Sequence, residues 1–126
     1  MNNLTLTGRV IFGIPFILFG AGHLMNASMM GAYVPIPGGV IWIYVTGIAM
    51  VLAGIAAITK IQGKLAMLLL ALLLFIYIVT IHVPNLLKPE TMQMGMMGLY
   101  KDMGLMGGAL ILAGIFSKEE KKTQLA

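Results

Sequence analysis

Four side chains in this sequence place a titratable or hydrogen-bonding group beside strongly apolar stretches: His23, Tyr44, His82 and Asp102. Histidine and aspartate exchange protons and bind ligands, and a tyrosine hydroxyl can donate a hydrogen bond. Ionisable side chains are costly inside a membrane and often mark binding sites or proton paths. These four residues are therefore a candidate ligand-binding site. The alternative is that they hydrogen-bond to one another and close one end of a helix bundle.

Asp102 is the charge that most needs a partner. A helix from Asp102 to Phe116 would be about 22 Å long, too short for a hydrocarbon layer of about 30 Å. The helix is therefore predicted to begin earlier, near Met97, which places Asp102 about one turn inside the membrane boundary. A carboxylate at that depth requires a hydrogen-bond donor of its own.

Arg9 lies about 7.5 Å inside the first apolar segment. Its long side chain can reach the lipid headgroups and help to fix the orientation of the chain. It also falls on the same helical face as Gly13, Phe16, Gly20 and His23, and a face rich in glycine is expected to point into protein. Contact with an anionic group is therefore the alternative role for Arg9.

Methionine is abundant, with 12 residues, and cysteine is absent. The run "MQMGMM", together with His82, resembles the thioether-rich sites that soft Cu(I) prefers. Methionine is also a flexible apolar filler, so copper binding is one of two interpretations. The candidate copper ligands are Met92, Met94, Met96, Met97 and His82. Without cysteine, the chain cannot supply thiol–disulfide chemistry, thiolate zinc sites or iron–sulfur clusters.

The elements that must position these residues are long apolar segments. Hydrophobic residues make up 60% of the chain and charged residues 10%, against about one quarter charged in soluble domains. Four segments approach the roughly 20 apolar residues needed to cross a membrane, and helices satisfy their own backbone in lipid. We predict an all-α membrane protein with four transmembrane helices in an up-down-up-down bundle. The spans are residues 4–23, 40–59, 65–83 and 97–116, forming one domain over 1–117.

Basic residues near the span ends predict the orientation. Most of them fall on one side of the membrane, which we predict to be the cytoplasmic side: Arg9, Lys60, Lys64, Lys118, Lys121 and Lys122. Both termini and the short charged tail (118–126) are then cytoplasmic, and connections 24–39 and 84–96 lie outside. Pro84 predicts the end of the third helix. His23, Tyr44, His82 and Asp102 then share one level near the outer surface. The net charge of +4 is explained by orientation, and no nucleic-acid partner is inferred from it.

The order of these segments resembles the DoxX/DoxD-like family of small four-helix integral membrane proteins. "GRVIFGIPFILFGAGHL" is similar to its opening helix, "VPIPGGVIWIYVTGIAMVLAGIAAI" to its second helix and "YKDMGLMGGALILAG" to its last. The resemblance covers roughly residues 6–116. It implies a bacterial inner-membrane protein linked to quinone-coupled sulfur oxidation, terminal oxidase complexes or assemblies that handle oxidative stress. It carries over no catalytic residue set, and the redox cysteines of some relatives are missing here.

Three functional hypotheses follow. The leading one is a non-catalytic accessory or assembly subunit of a redox-associated or envelope complex, with the bilayer and other membrane subunits or further copies as partners. The second is a quinone-linked oxidoreductase subunit that binds a headgroup through His23, Tyr44, His82 and Asp102. It would need a partner to carry electrons, because the chain has no flavin, haem or cluster motif. The third is a copper-binding membrane protein.

Overall fold

Long helices make up the structure, a computed structural model that describes residues 2–32 and 37–125. Over those residues no strand forms. Helix α1 (Asn3–Met25) is followed by a short α2 (Ala27–Gly31) and by α3 (Gly39–Thr59). Helix α4 (Gly63–Tyr77) continues through a π-helical turn (Ile78–His82), called here the π-turn, into α5 (Val83–Leu86). The last helix is α6 (Met92–Leu125).

In the described ranges, four helical stretches are long and apolar enough to cross a membrane. They are Asn3–Met25, Gly39–Thr59, Gly63–Leu86 and Met92–Leu125. Each contains one of the four predicted spans. The prediction of an all-α membrane protein with four membrane-spanning helices is therefore confirmed. The cytoplasmic placement of both termini stays a prediction.

Two helix boundaries differ from the predicted ones. Helix α6 begins at Met92 instead of Met97 and runs to Leu125, so parts of the predicted outer connection and of the charged tail are helical. In the tail, Lys122 lies 4.0 Å from Glu119, a spacing that supports a helix. Pro84 does not end the third helix, which continues to Leu86. Pro84 would be excluded from an uninterrupted α-helix, and the wider π-turn that precedes it accommodates its ring.

The chain divides into two compact units, Met1–Ala66 and Met67–Ala126, and each is described by itself. In the first unit, α1 and α3 run antiparallel with their backbones in close contact. A Cβ atom added at Gly13 would lie 2.6 Å from the carbonyl oxygen of Gly54, and one added at Gly54 would lie 2.6 Å from that of Gly13. A second pair, Gly20 and Gly47, approaches in the same way at 2.5 and 3.1 Å. The prediction that the glycine face of α1 points into protein is confirmed.

In the second unit, α6 runs back along the π-turn and α5. The connection between them is short, and Thr91 Oγ1 donates a hydrogen bond of 2.8 Å to the carbonyl of Asn85. Gly95 lies close to the backbone of the opposing segment, because an added Cβ would be 2.9 Å from both His82 O and Leu86 N. This close approach places the end of the π-turn directly against α6.

Candidate functional site

The structure brings together two of the four predicted site residues, His82 and Asp102. His82 Nε2 lies 2.6 Å from Asp102 Oδ2. The Asp102 residue is 3% exposed, and the His82 side chain is 13% exposed. With Asp102 ionised, its carboxylate can only accept hydrogen bonds, so the donor in this contact is the Nε2–H group of His82. His82 is therefore the hydrogen-bond donor that the sequence analysis predicted for the Asp102 carboxylate.

Lys101 completes the surroundings of this carboxylate. Its Nζ lies 3.6 Å from Asp102 Oδ1, and its side chain is 57% exposed. The two carboxylate oxygens thus face different groups, a mostly buried imidazole and a mostly exposed ammonium. Burying a carboxylate is costly unless it is paired and hydrogen-bonded, and both conditions are met here.

The π-turn sets the direction of the His82 side chain. The Val83 N–H bonds to the Ile78 carbonyl, five residues earlier, instead of to a carbonyl four residues earlier. One extra residue in a helical turn rotates every later side chain by about 100° relative to an uninterrupted helix. The sequence reasoning missed this turn. The available signal was Pro84, whose ring would clash with the carbonyl of Thr80 in a regular α-helix.

Two glycines of α6 form the surface on which His82 lies. Gly95 contacts the carbonyl end of His82, and a Cβ added at Gly98 would overlap the imidazole ring at Cε1 and Nδ1. Gly98 and Asp102 are four residues apart and therefore lie on the same face of α6. The imidazole rests over Gly98 and reaches Asp102 one turn further along.

His23 and Tyr44 have other surroundings in the first unit. His23 Nδ1 donates a hydrogen bond of 2.7 Å to the carbonyl of Phe19, one turn earlier in α1. Tyr44 is 45% exposed. That they share a site with His82 and Asp102 stays a prediction.

Arg9 is buried, at 5% exposure. Its Nη2 donates a hydrogen bond of 3.2 Å to the carbonyl of Ile58. Ile58 lies in the last turn of α3, where carbonyl groups lack a helical donor and the helix dipole favours a cation. Arg9 therefore joins α1 to the end of α3, a role that sequence reasoning did not suggest. Its proposed roles in orientation and anion contact stay predictions.

The four methionines among the candidate copper ligands lie in the first turns of α6, and the fifth candidate, His82, ends the π-turn. Met92, Met94, Met96 and Met97 are 45, 61, 38 and 66% exposed. Within residues 2–32 and 37–125, no group of three or more His, Cys, Asp or Glu residues could hold a metal ion. Copper binding through these thioethers stays a prediction, and metal analysis of protein purified without chelators tests it.

The His82–Asp102 pair can serve in three ways: it can hold two helical segments together, exchange one proton at the imidazole, or present a hydrogen-bonding edge to a ligand.

No family model, curated protein or solved structure matches this chain.

Proposed function

We propose that this chain is a DoxX-like, multi-pass protein of the bacterial inner membrane. In this proposal it acts as a non-catalytic accessory or assembly subunit of a redox-associated or envelope complex. The observation that carries the proposal is that the buried charged side chains, Arg9 and Asp102, make hydrogen bonds between helical segments. In each unit, a buried ionisable side chain joins two antiparallel helical segments.

The two joining contacts have the same structural consequence. Arg9 bonds to a backbone carbonyl of α3, and Asp102 bonds to the side chain that ends the π-turn. In lipid, where apolar surfaces gain little by meeting each other, such hydrogen bonds and close backbone contacts hold helices together. A protein that uses its buried charges in this way suits a scaffold around which other membrane subunits assemble.

An open glycine face on α6 supports the proposal that a partner helix binds. Within the described part of the second unit, nothing lies within 4 Å of a Cβ added at Gly104, Gly107 or Gly114. These positions fall within an arc of about 80° on the helix. Glycine weakens a helix unless close packing uses its small size. A transmembrane helix from another subunit would provide that packing.

Native mass spectrometry of the protein released from its own membrane in mild detergent tests this proposal. We expect a second type of chain at a constant ratio, and we expect Gly107→Leu to reduce its recovery. Gly22→Leu is the matched control, because Gly22 also has nothing within 4 Å but lies in the first unit, near the end of α1. Recovery of the wild-type protein alone, or only as copies of itself, would refute the accessory-subunit proposal.

A quinone-linked role is the second candidate, and the His82–Asp102 contact favours it. A carboxylate that holds Nε2–H leaves Nδ1 as the hydrogen-bond acceptor of a neutral imidazole. That atom is suited to the hydroxyl of a reduced quinone headgroup, with electrons supplied by a partner subunit. Replacing both His82 and Asp102 by Ala should weaken quinone binding, whereas Gly104→Ala, which adds a methyl group with nothing within 4 Å, is the control in α6. Unchanged quinone binding in the double variant would exclude this role.

A further inference from the structure

We infer that Gly98 is a positioning residue for His82: its missing side chain is what allows the imidazole to reach Asp102. This inference concerns the candidate site itself and does not depend on whether the chain is an accessory subunit or binds quinone. Helix α6 makes three contacts with this segment along one face, at Gly95, Gly98 and Asp102.

The first contact brings the backbones together. At Gly95, an added Cβ would be 2.9 Å from His82 O, 2.9 Å from Leu86 N and 3.0 Å from Asn85 Cβ. Two of these three atoms belong to the main chain and cannot move independently of the helix. Gly95 therefore sets how closely the end of the π-turn approaches α6.

The second contact is with the imidazole ring itself. The atoms that a Cβ at Gly98 would overlap are Cε1 and Nδ1, with Cγ next at 3.1 Å. With the backbones close together at Gly95, the ring lies across the surface of Gly98 and reaches Asp102 from there. A side chain at this position would displace the ring, and we expect that shift to break the bond of 2.6 Å between Nε2 and Oδ2.

Another glycine of α6, Gly104, shows that this requirement is local. Gly104 lies in the same helix, six residues after Gly98, and an added Cβ there meets nothing within 4 Å. Gly98→Ala and Gly104→Ala make the same chemical change in the same helix. Only the first introduces an atom beside His82, so the difference between the two variants isolates positioning from helix propensity.

The pair can be observed directly by NMR of protein labelled with ¹⁵N at the histidine ring. The chain has two histidines, so His23→Gln leaves His82 as the only signal. In this background, the ring spectrum should show a protonated Nε2 with a slowly exchanging hydrogen. Gly98→Ala should abolish that pattern and speed exchange of the hydrogen by about tenfold or more. Gly104→Ala should leave both unchanged.

A second comparison covers the case in which Gly98→Ala fails to fold. Its clash is with the ring, so removing the ring by His82→Ala should restore folding of the Gly98→Ala protein to the level of His82→Ala alone. Gly95→Ala clashes with backbone atoms and should not be rescued by His82→Ala. Retention of the wild-type His82 spectrum in Gly98→Ala would overturn the inference. So would failure of His82→Ala to rescue a misfolded Gly98→Ala protein.

These results are independent of the proposed function. A purified chain without partners would refute the accessory-subunit proposal and leave the His82 spectrum unaffected. An unchanged His82 spectrum in Gly98→Ala would refute the positioning inference and leave the partner experiment unaffected.

Discussion

Substitution of Gly54 by alanine tests whether the close approach of α1 and α3 stabilises the first unit. The new Cβ would lie 2.6 Å from the carbonyl oxygen of Gly13, against the 3.4 Å at which ordinary contact begins. It would also lie 2.7 Å from Ile17 Cγ1 and 3.1 Å from Ile17 N. Because two of these three atoms are backbone, the two helices must separate by several tenths of an ångström.

The expected loss of stability follows from three terms. Forcing an extra methyl group into a packed interface costs about 1–3 kcal/mol. Cα–H···O contacts recur at helix interfaces where backbones approach this closely, and weakening them adds about 0.5–1 kcal/mol. Alanine returns about 1 kcal/mol through its higher helix propensity. We expect Gly54→Ala to lower the free energy of unfolding by about 2 kcal/mol.

Reversible unfolding in mixed micelles, with increasing amounts of a denaturing detergent, measures this change. The single tryptophan, Trp42, lies in α3 and reports on the first unit by fluorescence. Gly8→Ala is the matched control in α1, because nothing lies within 4 Å of its added Cβ, and it should be neutral or slightly stabilising. Combining Gly13→Ala with Gly54→Ala should cost less than the sum of the two, since helices already separated leave room for the second methyl group. Equal stability of Gly54→Ala and Gly8→Ala would refute the reasoning.

Three further substitutions follow from the contacts. Arg9→Met removes the donor to the Ile58 carbonyl and should destabilise the first unit by about 1–3 kcal/mol in the same unfolding assay. If stability does not fall, this carbonyl accepts its hydrogen bond from another donor. His82→Ala leaves the buried carboxylate of Asp102 without its closest donor and should lower the free energy of unfolding by about 3 kcal/mol. Adding Asp102→Asn should recover part of that loss, whereas additive losses would show that the two side chains are not coupled. Lys60 directly follows α3 and has a positive φ of 69°, so Lys60→Gly should stabilise the protein by about 1 kcal/mol. A loss of stability would show that the lysine side chain matters more than its backbone strain.

The membrane class and the helices could be predicted from the sequence because they depend on local composition. A run of about 20 apolar residues has few stable alternatives to a helix in lipid, whatever the rest of the chain does. The glycines of α1 and α3 could be assigned to a packing face for a similar reason, since helical periodicity alone places them on one side. Where helices ended was less predictable, because Pro84 stops a regular α-helix but is tolerated after the π-turn.

The candidate site could be predicted only in part. Sequence reasoning placed His82 and Asp102 at one level near a span end and required a donor for the carboxylate, because depth follows from counting residues along each helix. Which side chain would be that donor depends on helix rotation and on the distance between backbones. The π-turn turns His82 towards α6, and Gly95 and Gly98 let the two segments approach until Nε2 is 2.6 Å from Oδ2. Local sequence thus determined the helices and the depth of their polar groups, whereas the tertiary structure decided that His82 pairs with Asp102. A hydrogen bond depends on differences of a few tenths of an ångström, which composition and periodicity do not specify.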